Sequence, residues 1–115
     1  MTKALKRRYG KSEGGDITPV IFRVWPKSEG GDVIALFPTI PYDRRGYECQ
    51  SYQHVGQHGG ADCAGVIRRT RAAKPEEYAA LKRELESPPF EYKLKVYARE
   101  ARGLREARMK AARES

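Results

Sequence analysis

The net positive charge of this 115-residue chain lies at its two ends, which predicts a neutral folded core in the stretch between them. Residues 1–16 carry Lys3, Lys6, Arg7, Arg8 and Lys11 against Glu13 and Asp16, a net of +3. Residues 93–115 carry eight cations against Glu100, Glu106 and Glu114, a net of +5. Residues 17–92 hold ten charges of each sign and sum to zero. This partition predicts a basic N-terminal arm over 1–16, an α+β core over 17–97 and an Arg-rich C-terminal helix or tail over 98–115. With 39% hydrophobic and 33% charged residues, the length suits one domain with one modest core. Its basic ends suit a polyanion or an acidic protein surface.

No stretch approaches the roughly 20 apolar residues that span a bilayer. The basic start Met1–Lys11 runs into glycine and acid rather than an apolar signal segment, so the expected location is cytoplasmic and no membrane partner is expected. Cys49 and Cys63 are too few for a disulfide framework and read as thiols.

The hexapeptide Lys-Ser-Glu-Gly-Gly-Asp occurs at 11–16 and again at 27–32, each time before β-branched or aliphatic residues, and reads as a turn feeding a strand. Strands are predicted over Val20–Trp25 and from Asp32 or Val33 to Phe37, joined as a hairpin. Pro38 and Pro41 should end that ladder before a polar turn at Tyr42–Gly46. A third strand is expected from Tyr47 to about Val55, then a flexible loop at Gly56, Gly59 and Gly60 and a short strand at Gly65–Arg68. Lys74-Pro75-Glu76-Glu77 opens a helix to about Glu86, with Tyr78, Leu81 and Leu85 on one face. Ser87-Pro88-Pro89 stops it, and Phe90–Tyr97 alternates as a final strand. From Ala98 the composition favours helix, with Arg99, Arg102, Arg105 and Arg108 recurring every third residue; such a segment frays alone and orders on a partner. The expected fold is therefore a small antiparallel sheet of three to five strands packed on one helix, with a basic C-terminal helix. One helix cannot cover both sheet faces, so the second face should meet an arm, a partner or another copy in a homodimer.

Asp32-Val33-Ile34-Ala35-Leu36-Phe37-Pro38, together with the run from Cys49-Gln50-Ser51-Tyr52-Gln53-His54-Val55-Gly56 through Gln57-His58-Gly59-Gly60-Ala61-Asp62, resembles a family of small uncharacterised bacterial and mobile-element (phage or plasmid) proteins. There the two segments are followed by a Glu-Glu-Tyr helix similar to Glu76-Glu77-Tyr78 and a closing basic strand. The resemblance covers about residues 20–97. It implies an intact domain in a bacterial or phage setting, and no reaction.

Cys49, His54, His58, Asp62 and Cys63 form the densest cluster of reactive side chains. A metal such as zinc requires imidazoles, thiolates or carboxylates that converge, but the spacing matches no standard zinc signature and a paired Cys-x-x-Cys is absent. A cysteine nucleophile with a histidine base has the right residue types and little room for a cleft. A structural role, with Cys49 in the core and Gln57, His58 and Asp62 bonded to the loop's own backbone, explains the same residues. The loop residues His54, His58, Asp62 and Cys63 thus stand as candidates for partner contact or a metal. Phosphate contact is expected from Lys6, Arg7 and Arg8, from Arg68, Arg69 and Arg71, from Lys93 and Lys95, and from Arg99, Arg102, Arg105 and Arg108, with Tyr97 offering a stacking ring. The strand-helix order falls short of a double-stranded RNA-binding domain, because Pro75-Glu76-Glu77 opens the helix with carboxylates that repel phosphate. The reading is a non-enzymatic module, without cofactor, that contacts RNA or DNA within a ribonucleoprotein. An alternative is a mobile-element protein that blocks a host nucleic-acid-handling defence complex, anti-CRISPR-like; a second is a metal-dependent hydrolase using His54, His58 and Asp62.

Overall fold

The computed structural model describes residues 17–53 and 58–114 and shows an α+β protein. The expected N-terminal arm and the centre of the glycine loop lie outside the described residues. Strand β1 (Thr18–Val24) pairs antiparallel with β2 (Val33–Pro41), Ile21 opposite Leu36 and Phe22 opposite Ala35. The hairpin between them is the second copy of the hexapeptide. A single 3-10 turn at Lys27–Glu29 is closed by Gly30 and Gly31 at φ 109° and 70°, which glycine adopts without strain.

Two short strands, β3 (Cys49–Tyr52) and β4 (His58–Ala61), continue the sheet antiparallel beyond β2. On the other side of β1 lie β5 (Arg71–Ala72), antiparallel to its second half, and β6 (Leu94–Val96), parallel to its first half. The expected α+β class with a basic C-terminal helix holds; the sheet is mixed and six-stranded, with β6 pairing parallel where an antiparallel strand was expected.

Helix α1 (Cys63–Arg69) precedes β5, α2 (Pro75–Glu86) follows it, and α3 (Arg102–Glu114) ends the described chain. On one face Val20, Phe22, Ala35, Phe37 and Tyr52 pack against Leu81 and Leu85 of α2 and against Tyr92. Phe22 stacks on Tyr78 at 4.4 Å between ring centroids, and Phe37 on Tyr92 at 4.9 Å. The Tyr52 hydroxyl donates to the Glu84 carboxylate, tying α2 to the third strand. The other face, with Ile21, Ile34, Leu36, Cys49 and Ala61, receives Cys63 and Val66 of α1. Helix α3 packs along β2. The second face thus meets other parts of the chain, α1 and, beside Cys49 and Cys63, the basic C-terminal helix, one of the arms expected to meet it.

Four elements differ from expectation for local reasons. Gly65–Arg68 is not a strand but the body of α1: Asp62 accepts from the Val66 N–H at 2.8 Å, and Cys63 and Val66, three apart, both reach the sheet. Residues 58–61, expected within a flexible loop, form β4, and a side chain at Gly60 would run into the ring of Tyr42 that lies over it. Strand β2 passes through Pro38 to Pro41 by a register shift between Phe37 and Pro41. The last strand pairs over only three residues because Phe90 and Glu91 both donate to the Ser87 carbonyl, at 3.0 Å each, and hold 87–91 in a turn.

Candidate nucleic-acid interface

The arginines of α3 look equivalent in sequence and separate in three dimensions. At 3.6 residues per turn, Leu104, Arg108 and Ala112 share the face that docks on the sheet. Arg108 is 2% exposed. Its Nε donates to the Gly46 carbonyl at 2.7 Å, and Nη1 to the Pro38 carbonyl at 2.8 Å and to the Glu100 carboxylate. Burial alone pushes its pKa down, and the bond to Glu100 more than restores it. Arg108 is therefore removed from the expected contact set: it is the clamp that turns a basic tail into part of the fold. Arg99, Arg102, Arg105, Lys110 and Arg113 remain exposed. Arg102 meets Glu106 at 3.2 Å, a solvent-exposed pair of small energetic weight.

Lys93, just before β6, and Lys95, on it, are exposed, and the Lys95 ammonium lies 5.4 Å from the centroid of the Tyr97 ring. Tyr97 is half-buried against the Ile21 cluster, and its N–H donates to the Val20 carbonyl at 2.8 Å. The Tyr97 ring, expected to stack on a base, thus has the Lys95 ammonium beside it.

Arg68 and Arg69 close α1 and are exposed. Arg23, unremarked in the sequence and nearly buried, holds that helix end to β1: its Nε donates to the Thr70 hydroxyl at 2.9 Å and Nη2 to the carbonyls of Ile67 and Thr70 at 3.0 and 2.6 Å. Burial lowers the Arg23 pKa. The Arg69 guanidinium stands over the ring of Trp25, 5.5 Å from its centroid. Arg71 is committed to Glu77 through two bonds of 2.8 and 2.6 Å. Those bonds, with the Lys74 N–H at 2.8 Å, hold the Glu77 carboxyl at about 2. Arg71 thus joins β5 to the start of α2, and its charge is matched.

Between these elements runs an open groove of about 390 Å3 lined by Val24, Trp25, Pro26, Lys27, Arg69 and Thr70, among others. Trp25 and Lys27 were not among the expected contact residues. The available signal was that the chain's single tryptophan leaves a strand directly into Pro26-Lys27.

The reactive cluster does not converge. His58, opposite Tyr52, packs beside Tyr52 and Phe90 on the α2 face, whereas Cys63 is buried with Cys49 on the other. A bond with the Cys49 thiol, then burial, then the Glu100 carboxylate push the Cys63 thiol far up, opposite to what a nucleophile or metal ligand requires. Cys63 therefore leaves the set of loop contacts. Asp62 is exposed at the start of α1. No group of three His, Cys, Asp or Glu able to hold a metal occurs among the described residues, which exclude His54. Lys6, Arg7 and Arg8 also lie outside the described residues. No helix among the described residues is long and apolar enough to cross a membrane. Comparison with models of protein families, with curated proteins and with solved structures finds no match for this chain.

Proposed function

We propose that this protein is a non-enzymatic nucleic-acid-binding module that grips the phosphate backbone of RNA or DNA. The observation that carries this reading is the division of α3. Arg108 fixes the helix to the sheet while Arg102, Arg105, Lys110 and Arg113 remain exposed on it and Arg99 is exposed just before it. Cations held on a docked helix engage phosphates without first ordering a tail, and the counterions they release make binding salt-dependent. Lys93, Lys95, Arg68 and Arg69 add exposed charge on neighbouring elements. The alternative of a protein that blocks a host defence complex, which rests on small size, the second sheet face and the resemblance, has less support from that face, since α1 packs on it.

The test is fluorescence anisotropy of labelled RNA and DNA with the full chain across a salt series. The comparison is a triple variant, Arg102→Glu, Arg105→Glu and Arg113→Glu. The logarithmic salt slope should fall by about 2 to 3, from roughly 0.7 to 0.9 for each lost phosphate contact, with weaker binding at every salt concentration. An unchanged slope and affinity would overturn the proposal.

A further inference from the structure

We infer that the groove at Trp25 is a stacking site for one unpaired base of a single-stranded nucleic acid, with Lys27 and Arg69 taking the flanking phosphates. This rests on the nucleic-acid reading and assigns to it a site that the α3 charges do not supply. Three observations carry it. First, the indole is held in place: its Nε1 donates to the Gln53 Oε1 at 3.0 Å, and its half-buried edge packs on the Ile21 cluster. A ring fixed before binding loses little freedom when a base covers it.

Second, the rim is cationic. Among the described residues no carboxylate pairs with Lys27 or Arg69, whereas Arg71 is neutralised by Glu77. The groove therefore favours an anionic ligand with a flat apolar part over an apolar peptide. Third, the position over the indole already holds a planar group. The Arg69 guanidinium occupies it at 5.5 Å, tethered through Nε to the Gly65 carbonyl by a long bond of 3.3 Å. A base takes that place, and the displaced guanidinium turns to the adjoining phosphate. Stacking of this kind accepts any base, because each presents a π-face, and excludes a duplex, whose bases are already stacked on one another. A volume of about 390 Å3 lies within the roughly 300–1,000 Å3 usual for small-molecule sites.

Trp25 is the only tryptophan of the chain, so its fluorescence reports this site alone. The full chain is titrated with a homothymidine oligomer while anisotropy of a labelled copy measures total binding. Quenching should saturate together with the anisotropy, and a duplex of equal length should bind without quenching. Trp25→Ala should weaken single-strand binding about 5- to 150-fold, the effect of one stacked base, and leave duplex binding unchanged. Arg69→Ala and Lys27→Ala, which remove no core packing, should weaken binding and retain the quench. Oligomer binding with constant tryptophan fluorescence would overturn the groove site and leave the phosphate-binding reading intact. Absence of any oligomer binding would overturn both. Equal quenching by thymidine monophosphate or by the duplex would overturn the assignment to a strand.

Discussion

Replacing Arg108 with methionine tests the clamp on which the functional reading depends. The substitution keeps an unbranched apolar stem of helix-forming character and removes only the guanidinium. Glu100, whose side chain is 8% exposed, loses its ion-pair partner, and the carbonyls of Gly46 and Pro38 lose their donor. Breaking a buried ion pair by deleting one partner costs roughly 3–5 kcal/mol. The two orphaned carbonyls, at about 1–3 kcal/mol each when sealed from water, overlap with that figure, since an undocked helix rehydrates them. The expected loss is thus about 3–5 kcal/mol, a large share of the roughly 5–15 kcal/mol that stabilises a domain of this size. Urea unfolding followed by circular dichroism measures it, and limited proteolysis should cut first within 98–115. Arg105→Met, on an exposed position of the same helix, should change stability by no more than about 0.5 kcal/mol. Adding Glu100→Gln to Arg108→Met should return about 1–3 kcal/mol by removing the stranded charge. A loss below about 1 kcal/mol, or equal losses at 105 and 108, would refute the clamp.

Two further outcomes follow from neighbouring geometry. Gly46→Ala should destabilise the protein by about 2–3 kcal/mol, read from the urea midpoint: Gly46 sits at φ 79°, and its Cβ would meet the Ala112 Cβ at 3.0 Å and the Arg108 carbonyl at 3.2 Å. Gly103→Ala, in α3 with nothing within 4 Å, should instead stabilise by about 0.5–1 kcal/mol, and a loss there would count against the docked helix. The Glu77 carboxyl falls from its ordinary 4.5 to about 2 in the folded protein. Its contribution is therefore complete above pH 4.5 and is lost as the pH drops through about 2. Melting temperatures recorded down that range should fall more steeply for the wild type than for Glu77→Gln, and parallel curves would contradict the Arg71–Glu77 assignment.

What could be read in the sequence is what local chemistry determines. Helix α2 matches its expected bounds, because Pro75, two early glutamates and the spacing of Leu81 and Leu85 all act within one helix. The first hairpin follows from alternation around a Gly-Gly turn. Residues 63–67 are a five-residue apolar run, which strand and helix share, and only the position of Cys63 and Val66 over the sheet decides between them. The candidate site was harder. Local sequence does not separate Arg108 from Arg105: Glu100 lies within reach of both, and the carbonyls that draw Arg108 inward are 62 and 70 residues away at Gly46 and Pro38. Trp25 was visible as a lone aromatic, but its pairing with Arg69 requires α1 to be a helix whose end Arg23 pins to β1.

That dependence on distant partners decides how the C-terminal charges can be probed. Deleting residues 98–115 removes the arginines, and it also removes Arg108 and Glu100 and uncovers the β2 surface under α3. Lost binding in such a truncation would report an unfolded sheet as readily as missing phosphate contacts. Reversing Arg102, Arg105 and Arg113 lowers the formal charge by six, from +8 to +2, while the docked face of α3 keeps Leu104, Arg108 and Ala112. Between that variant and the parent the exposed charge differs, together with the solvent-exposed Arg102–Glu106 pair. A changed salt slope with an unchanged unfolding midpoint then reports the exposed charge of α3 rather than damage to the fold.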